Sequence, residues 1–248
     1  MTERAVVYGF HAVTARLRHR PDSVREILID VDRQDPRTKH LIDSAARAGV
    51  KLQLAARKRL DDIAGGTPHQ GVVAFVDRVE GGATLESVLD AVQGPALMLV
   101  LDGVQDPRNL GACLRVADAM GADAVVAPRD RAVGITPTVE KAASGAAHTL
   151  PYVVVTNLAR ALRQMQDRGL WVIGASQQAG EPLARCDLLR SVALVLGAEG
   201  EGLRRLTSET CDELVSIPMV GTVESLNVSV AAAICLYEAR RQRAGQGR

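Results

Sequence analysis

Ala96-Leu97-Met98-Leu99-Val100-Leu101-Asp102-Gly103 is the stretch that decides the fold. Six apolar residues in succession are far too few to span a membrane. They also lack the alternation of a strand that shows one face to water. They read as a strand buried on both faces, which ends at Asp102-Gly103 and feeds a loop. The same pattern recurs downstream. Asp123–Pro128, Val153-Val154-Val155, Leu170–Gly174, Val192–Gly197 and Leu214–Pro218 are further strands. Asn109–Met120, Leu158–Arg168 and Leu226–Arg243 are helices set among them. Strands alternating with helices imply a mostly parallel sheet covered on both faces.

Upstream, residues 1–76 form a smaller α/β region. A helical pattern follows Tyr8-Gly9 and stops at Pro21-Asp22. Ile27-Leu28-Ile29 is a strand, 36–48 a helix, Val50–Leu54 a strand and Val72–Val76 a buried strand. Residues 77–95 read as a linker around the Gly81-Gly82 break, with a short helix over Leu85–Val92. The domains expected are therefore 1–76, a linker 77–95 and 96–248.

Composition narrows the function classes. The chain has 248 residues, 47% hydrophobic and 24% charged, which suits a globular protein. No run of 18 apolar residues occurs, and the start does not resemble a signal peptide, so the expected location is cytoplasmic. The net charge of +1 excludes a polybasic tail binder, and any contact with nucleic acid must use a local patch. Aromatic residues are 2% of the chain, too few for an RNA binder that stacks bases on rings. Arg16, Arg18, His19 and Arg20 read as a solvated basic face at a helix end. The four cysteines, Cys113, Cys186, Cys211 and Cys235, form no C-x-x-C pair; buried reduced thiols are expected, and no metal site.

Three segments put polar residues at the carboxyl ends of predicted strands, where open α/β sheets bind ligands. In Asp102–Arg115, Asn109 stands where a helix N-cap belongs and Arg115 lies six residues on, near the helix start. A capped helix with a solvated arginine would explain the same residues. In Leu194–Leu203, Gly197, Gly200 and Gly202 let backbone approach a ligand closely, and Glu199 and Glu201 repel phosphate. The spacing matches neither the dinucleotide fingerprint nor a P-loop. In Ile217–Ser229, capping by Ser225 or Asn227 accounts for one of those two residues only.

Together the motifs D-G-V-x-D-P-x-N-L-G-A-x-x-R, L-V-L-G-x-E-G-x-G-L and I-P-M-x-G-x-V-x-S-L-N-V-S-V-A resemble the SpoU (SPOUT) family of RNA ribose 2′-O-methyltransferases. They span about 130 of the 248 residues, in the family's order and spacing. Tyr8–Val13 and His69-Gln70-Gly71 resemble the segment before the catalytic domain in one branch, whose members methylate a guanosine in the peptidyl-transferase P loop of 23S rRNA. The resemblance implies a C-terminal α/β domain with a deep trefoil knot, an L30e-like RNA-binding N-terminal domain, and a homodimer. It implies S-adenosylmethionine as cofactor, contacted by Gly197, Glu199, Gly200, Ile217, Met219 and Leu226. It assigns the catalytic set to Asn109, Arg115, Glu199, Ser225 and Asn227. As a literal base Arg115 is awkward, since free arginine has a pKa of about 12.5–13.8. A clamp on phosphate that stabilises a developing alkoxide suits it better. Methylation of tRNA or of another rRNA site, and a non-enzymatic RNA-binding assembly factor, are the alternatives.

Overall fold

The structure is a computed structural model that describes residues 4–19, 21–66, 69–77 and 83–245. The Gly81-Gly82 break and the Thr67-Pro68 turn lie outside the described residues, as do Arg20 and the side chain of His19. The chain divides into two compact units, 1–81 and 82–248.

The first unit contains β1 (Arg4–Tyr8), α1 (Phe10–His19), β2 (Val24–Asp30), α2 (Pro36–Arg47), β3 (Lys51–Ala55), α3 (Arg57–Ala64) and β4 (Val72–Asp77). Its sheet runs β1-β4-β2-β3. β4 is antiparallel to both neighbours and β2 is parallel to β3. Alternation along β2 builds two cores. Ile27 and Ile29 pack with α1 and α2 around Val13, Leu17 and Leu41. Leu28 faces Leu60 of α3 on the other side. Strand β1 and helix α3 escape a sequence reading because each is short. Arg16 corrects the solvated basic face. It is buried, and its guanidinium donates to Ser23 Oγ at 2.8 Å and the Asp77 carbonyl at 3.1 Å.

The second unit contains α4 (Leu85–Ala91), β5 (Leu97–Asp102), α5 (Pro107–Ala119), β6 (Ala124–Pro128), α6 (Pro137–Ala143), α7 (Ala146–Thr149), β7 (Tyr152–Val155), α8 (Leu158–Asp167) and β8 (Trp171–Ala175). β9 (Glu181–Pro182), β10 (Val192–Gly197), α9 (Arg205–Thr210), β11 (Glu213–Ser216) and α10 (Val228–Ala244) complete it. The sheet order is β7-β6-β5-β10-β8-β11-β9, and every pairing is parallel. β5 is buried along its whole length because it lies inside the sheet with helices on both faces. Leu97, Leu99 and Leu101 point toward the core under α5 and α10; Met98 and Val100 point toward α4 and α8. Leu85 and Val88 of α4 belong to that second core, so the segment 83–95 packs as part of this unit.

All four cysteines are free, three of them buried and Cys211 partly so. Burial pushes each thiol up to about 12, which keeps them protonated at neutral pH. Among the described residues, no helix is long and apolar enough to cross a membrane.

Candidate active site

The site forms where β5, β10 and β11 end. β5 finishes at Asp102, and Gly103 turns the chain with φ +90. The helix that follows starts earlier than expected. Asp106, not Asn109, is the N-cap of α5: its carboxylate accepts from the backbone N–H groups of Arg108 at 2.7 Å and Asn109 at 3.0 Å. Pro107 fits the first helical position because it lacks the N–H that would go unbonded there. Capping by Asp106 leaves the Asn109 amide free for other partners. Gly111 has a separate task. A Cβ there would lie 2.4 Å from Ala142 Cβ and 2.8 Å from the Val139 carbonyl, so it permits α5 to lie against α6.

The side chain that caps α10 is Asn227. Its Oδ1 accepts from Ser229 N at 2.9 Å and from Ser229 Oγ at 2.7 Å. Its Nδ2 donates to Asn109 Oδ1 at 2.9 Å. Asn109 Nδ2 in turn donates to Glu199 Oε2 at 3.4 Å. One directed chain, Ser229 to Asn227 to Asn109 to Glu199, therefore ties together the three segments singled out in the sequence. Each amide donates with one end and accepts with the other, which fixes its orientation. Ser225 does no capping and is exposed.

Beyond β10 the chain doubles back. Gly202 N donates to the Ala198 carbonyl at 2.9 Å. A Cβ on Gly197 would lie 2.0 Å from Gly202 C and O and 2.4 Å from Leu203 N. The close approach expected at Gly197 is thus made by the loop's own backbone.

A cavity of about 380 Å³ opens beside this loop. All six residues expected to hold cofactor line it: Gly197, Glu199, Gly200, Ile217, Met219 and Leu226. Ser225 lines it as well. Asn109 and Asn227 do not; they reach it through Glu199. A fourth wall, Ala175 to Gln178, follows the end of β8 and was not singled out in the sequence. The rule that ligands gather at strand carboxyl ends, applied to Leu170–Gly174, would have found it. Among the described residues, Glu199, Glu201 and Glu224 line the cavity and no lysine or arginine does. Such a wall favours a cationic or hydroxyl-bearing ligand over a phosphate.

Arg115 stands apart. It lies eight residues into α5 from Pro107, about 12 Å along the axis, rather than near the helix start. It is exposed and outside the cavity lining. A charged pair went unseen in the sequence. Asp102, whose side chain is fully buried, accepts from Arg204 N at 3.0 Å and lies 3.4 Å from Arg204 Nε. It thereby anchors the exit of the glycine loop to the end of β5. An acid closing an otherwise apolar strand was the available signal. Among the described residues, no group of three His, Cys, Asp or Glu is placed to hold a metal ion.

Comparison with known proteins places the chain in a family. The SpoU rRNA Methylase family profile matches residues 96–237. A profile described as RNA 2′-O ribose methyltransferase substrate binding matches residues 6–81. The chain belongs to the SpoU rRNA methylase family and is an RNA 2′-O-methyltransferase. It is 56% identical to the 23S rRNA (guanosine-2′-O-)-methyltransferase RlmB of Bordetella pertussis, over 99% of this chain and 100% of that one. It is 58% identical to the RlmB of Ralstonia nicotianae, over 98% of each. Among solved structures it resembles the SpoU methyltransferase AviRb from Streptomyces viridochromogenes in complex with the cofactor AdoMet. The TM-score is 0.75 and the identity 25%, covering 98% of this chain and 91% of that one.

Proposed function

We propose that the protein methylates the ribose 2′-hydroxyl of a guanosine in 23S rRNA, in the peptidyl-transferase P loop, with S-adenosylmethionine as methyl donor. The observation that carries this reading is the Asn227–Asn109–Glu199 chain, which joins the three family motifs at the rim of the carboxylate-lined cavity. S-adenosylmethionine fits that cavity. Leu196, Ile217 and Val228 offer apolar walls to a base, while Glu199, Glu201 and Glu224 suit hydroxyls and positive charge. When bound, it supplies an electrophilic methyl group on a sulfonium. Gly197, Gly200, Met219 and Leu226 shape the cradle for it. Glu199 holds Asn109, which orients the target ribose. Ser225 hydrogen-bonds substrate or cofactor at the cavity mouth. Arg115 grips the adjacent phosphate and stabilises the 2′-oxygen as its proton leaves.

The first unit, matched by the substrate-binding profile, is the reader of the RNA, and its helices on both faces of a small sheet suit an L30e-like domain. The trefoil knot belongs to the same reading. The folding of 198–203 onto Gly197 and the return of α10 against the core of α5 and β10 suit a chain end drawn through a loop. The protein works in the cytoplasm, on ribosomal RNA.

A homodimer completes the reading. Val230, Ile234 and Tyr237 form one exposed apolar stripe on α10, at 46%, 36% and 58% exposure, while its other face is buried. Exposed apolar stripes of this kind mark interfaces. The Ile234→Glu, Tyr237→Glu double variant is expected to sediment as a monomer where the parent sediments as a dimer. A dimeric double variant would overturn this interface.

Two measurements test the function. Calorimetric titration should give saturable binding of S-adenosylmethionine at one site per chain. Mapping of ribose methylation after reaction with 23S rRNA should give a single guanosine in the P loop. A tRNA nucleotide modified instead would refute the target, and absent methyl transfer with intact binding would refute the activity.

A further inference from the structure

The carboxyl ends of β7, β6, β5 and β10 lie side by side in that order. Arginines follow the first three of them. Arg160 stands in the first turn of α8, Arg129 and Arg131 directly follow β6, and Arg108 stands in the first turn of α5. All four are exposed. Among the described residues, none of the four has a side-chain hydrogen bond or ion pair. Three other exposed arginines of the same unit find carboxylates, Arg168 with Asp90 at 2.7 Å, Arg205 with Glu209 at 3.1 Å and Arg241 with Glu238 at 2.7 Å, whereas among the described residues Arg115 and Arg163 do not.

The placement of the four runs against local stability. Arg108 and Arg160 sit where the helix dipole disfavours a cation, and neither first turn holds an acid. Arg131 has φ +57, a region that a non-glycine residue seldom occupies. Its loop is nevertheless fixed, because Val133 N donates to the Val104 carbonyl at 3.1 Å. Of the acids nearby, Asp106 is engaged in capping α5 and Glu199 accepts from Asn109. Asp130 stands between Arg129 and Arg131. Adjacent strands are about 4.8 Å apart, so the edge from β7 to β10 runs about 15 Å. Charge is thus divided along one sheet edge: a carboxylate-lined cavity at β10, β8 and β11, and unpaired guanidinium groups from β5 to β7.

We propose that Arg108, Arg129, Arg131 and Arg160 form a second RNA-contact surface, carried by the methyltransferase unit itself, which holds the sugar-phosphate backbone flanking the methylated nucleotide. The inference rests on the reading of the chain as an RNA 2′-O-methyltransferase. Guanidinium groups suit phosphate because their fork matches two oxygens at once. Such contacts set the register of the strand and leave sequence to be read elsewhere. Phosphate is repelled from the cavity by its carboxylates and drawn along the edge, so the ribose between flanking phosphates is presented at the cavity rim.

The test compares the parent with the Arg129→Ala, Arg131→Ala double variant and, independently, with Arg160→Glu, all as full chains. Affinity for a 23S rRNA fragment is measured between about 50 and 300 mM KCl, with kcat/KM for that RNA and calorimetric affinity for S-adenosylmethionine. Each single-strand phosphate contact contributes about 0.7 to the slope of log affinity against log salt. The double variant should therefore flatten that slope by about 1.4 and lower kcat/KM for RNA, with cofactor affinity as in the parent. Arg160→Glu should weaken RNA binding in the same salt-dependent way. Unchanged slopes and kcat/KM in both variants would overturn the proposal while the parent's methylation stands. Weakened cofactor binding would also overturn it, since these residues do not line the cavity. Failure of the parent to bind cofactor or methylate RNA would instead overturn the reading beneath it.

Discussion

Gly197→Val is expected to weaken S-adenosylmethionine binding by at least about 100-fold, equivalent to roughly 2.7 kcal/mol. The first added carbon already lies 2.0 Å from the backbone of Gly202. A flexible side chain could swing away from such a clash, but backbone cannot. Nor can Gly197 retreat, because it is paired to Asp102 of β5, and β10 is held by β8 up to Val195. The strain must open the loop, and Gly200, Glu201, Gly202 and Leu203 of that loop line the cavity. Overpacking of this kind also costs about 1–3 kcal/mol of stability. Thermal unfolding and calorimetric titration on the same sample separate the two effects. A folded variant with the parent's affinity would show that the glycine loop does not form the cofactor site.

Arg115→Ala is expected to lower the single-turnover rate of methyl transfer by about 10²–10³-fold, the usual loss when one preorganised charge-stabilising donor is removed. Cofactor affinity should not change, because Arg115 is outside the cavity lining. Arg115 is exposed and, among the described residues, makes no side-chain hydrogen bond or ion pair, which leaves its donors for substrate. Arg115→Lys should recover little, since a lysine cannot reproduce a planar two-point contact with phosphate. A surface arginine without a role in the reaction would change the rate by less than a few-fold. A near-parental rate for Arg115→Ala would remove it from the mechanism; a large rate loss with weakened cofactor binding would mean that it supports the fold.

The long strands were legible because burial on both faces leaves an unbroken apolar run, as in Leu97–Leu101 and Val192–Leu196. Short elements were not. Five residues of β1 and eight of α3 carry too little periodicity to stand out. Arg16 was misread because the groups that accept its hydrogen bonds, Ser23 Oγ and the Asp77 carbonyl, lie in other elements. Asn109 looked like a cap because asparagine favours that position, but Asp106 stands three residues earlier and accepts from the N–H groups of Arg108 and Asn109, so the helix has begun before Asn109 is reached. A cap is decided by where the helix starts, and competing candidates a turn apart cannot be ranked from residue type.

The sequence alone determined the α/β class, and its motifs carried the family resemblance that pointed to the six cavity residues, since strand ends, glycines and motif spacing are local patterns. Tertiary structure alone decided what those residues do to one another. Asn109 and Asn227 are 118 positions apart, and Asn109 and Glu199 are 90 apart. Their hydrogen bonds exist because β5 and β10 are neighbours in the sheet and α10 returns to the same edge. The Asp102–Arg204 contact spans 102 positions for the same reason. Pairing of strands distant in the chain depends on the free energy of the whole packed sheet, and no short stretch of residues carries that information.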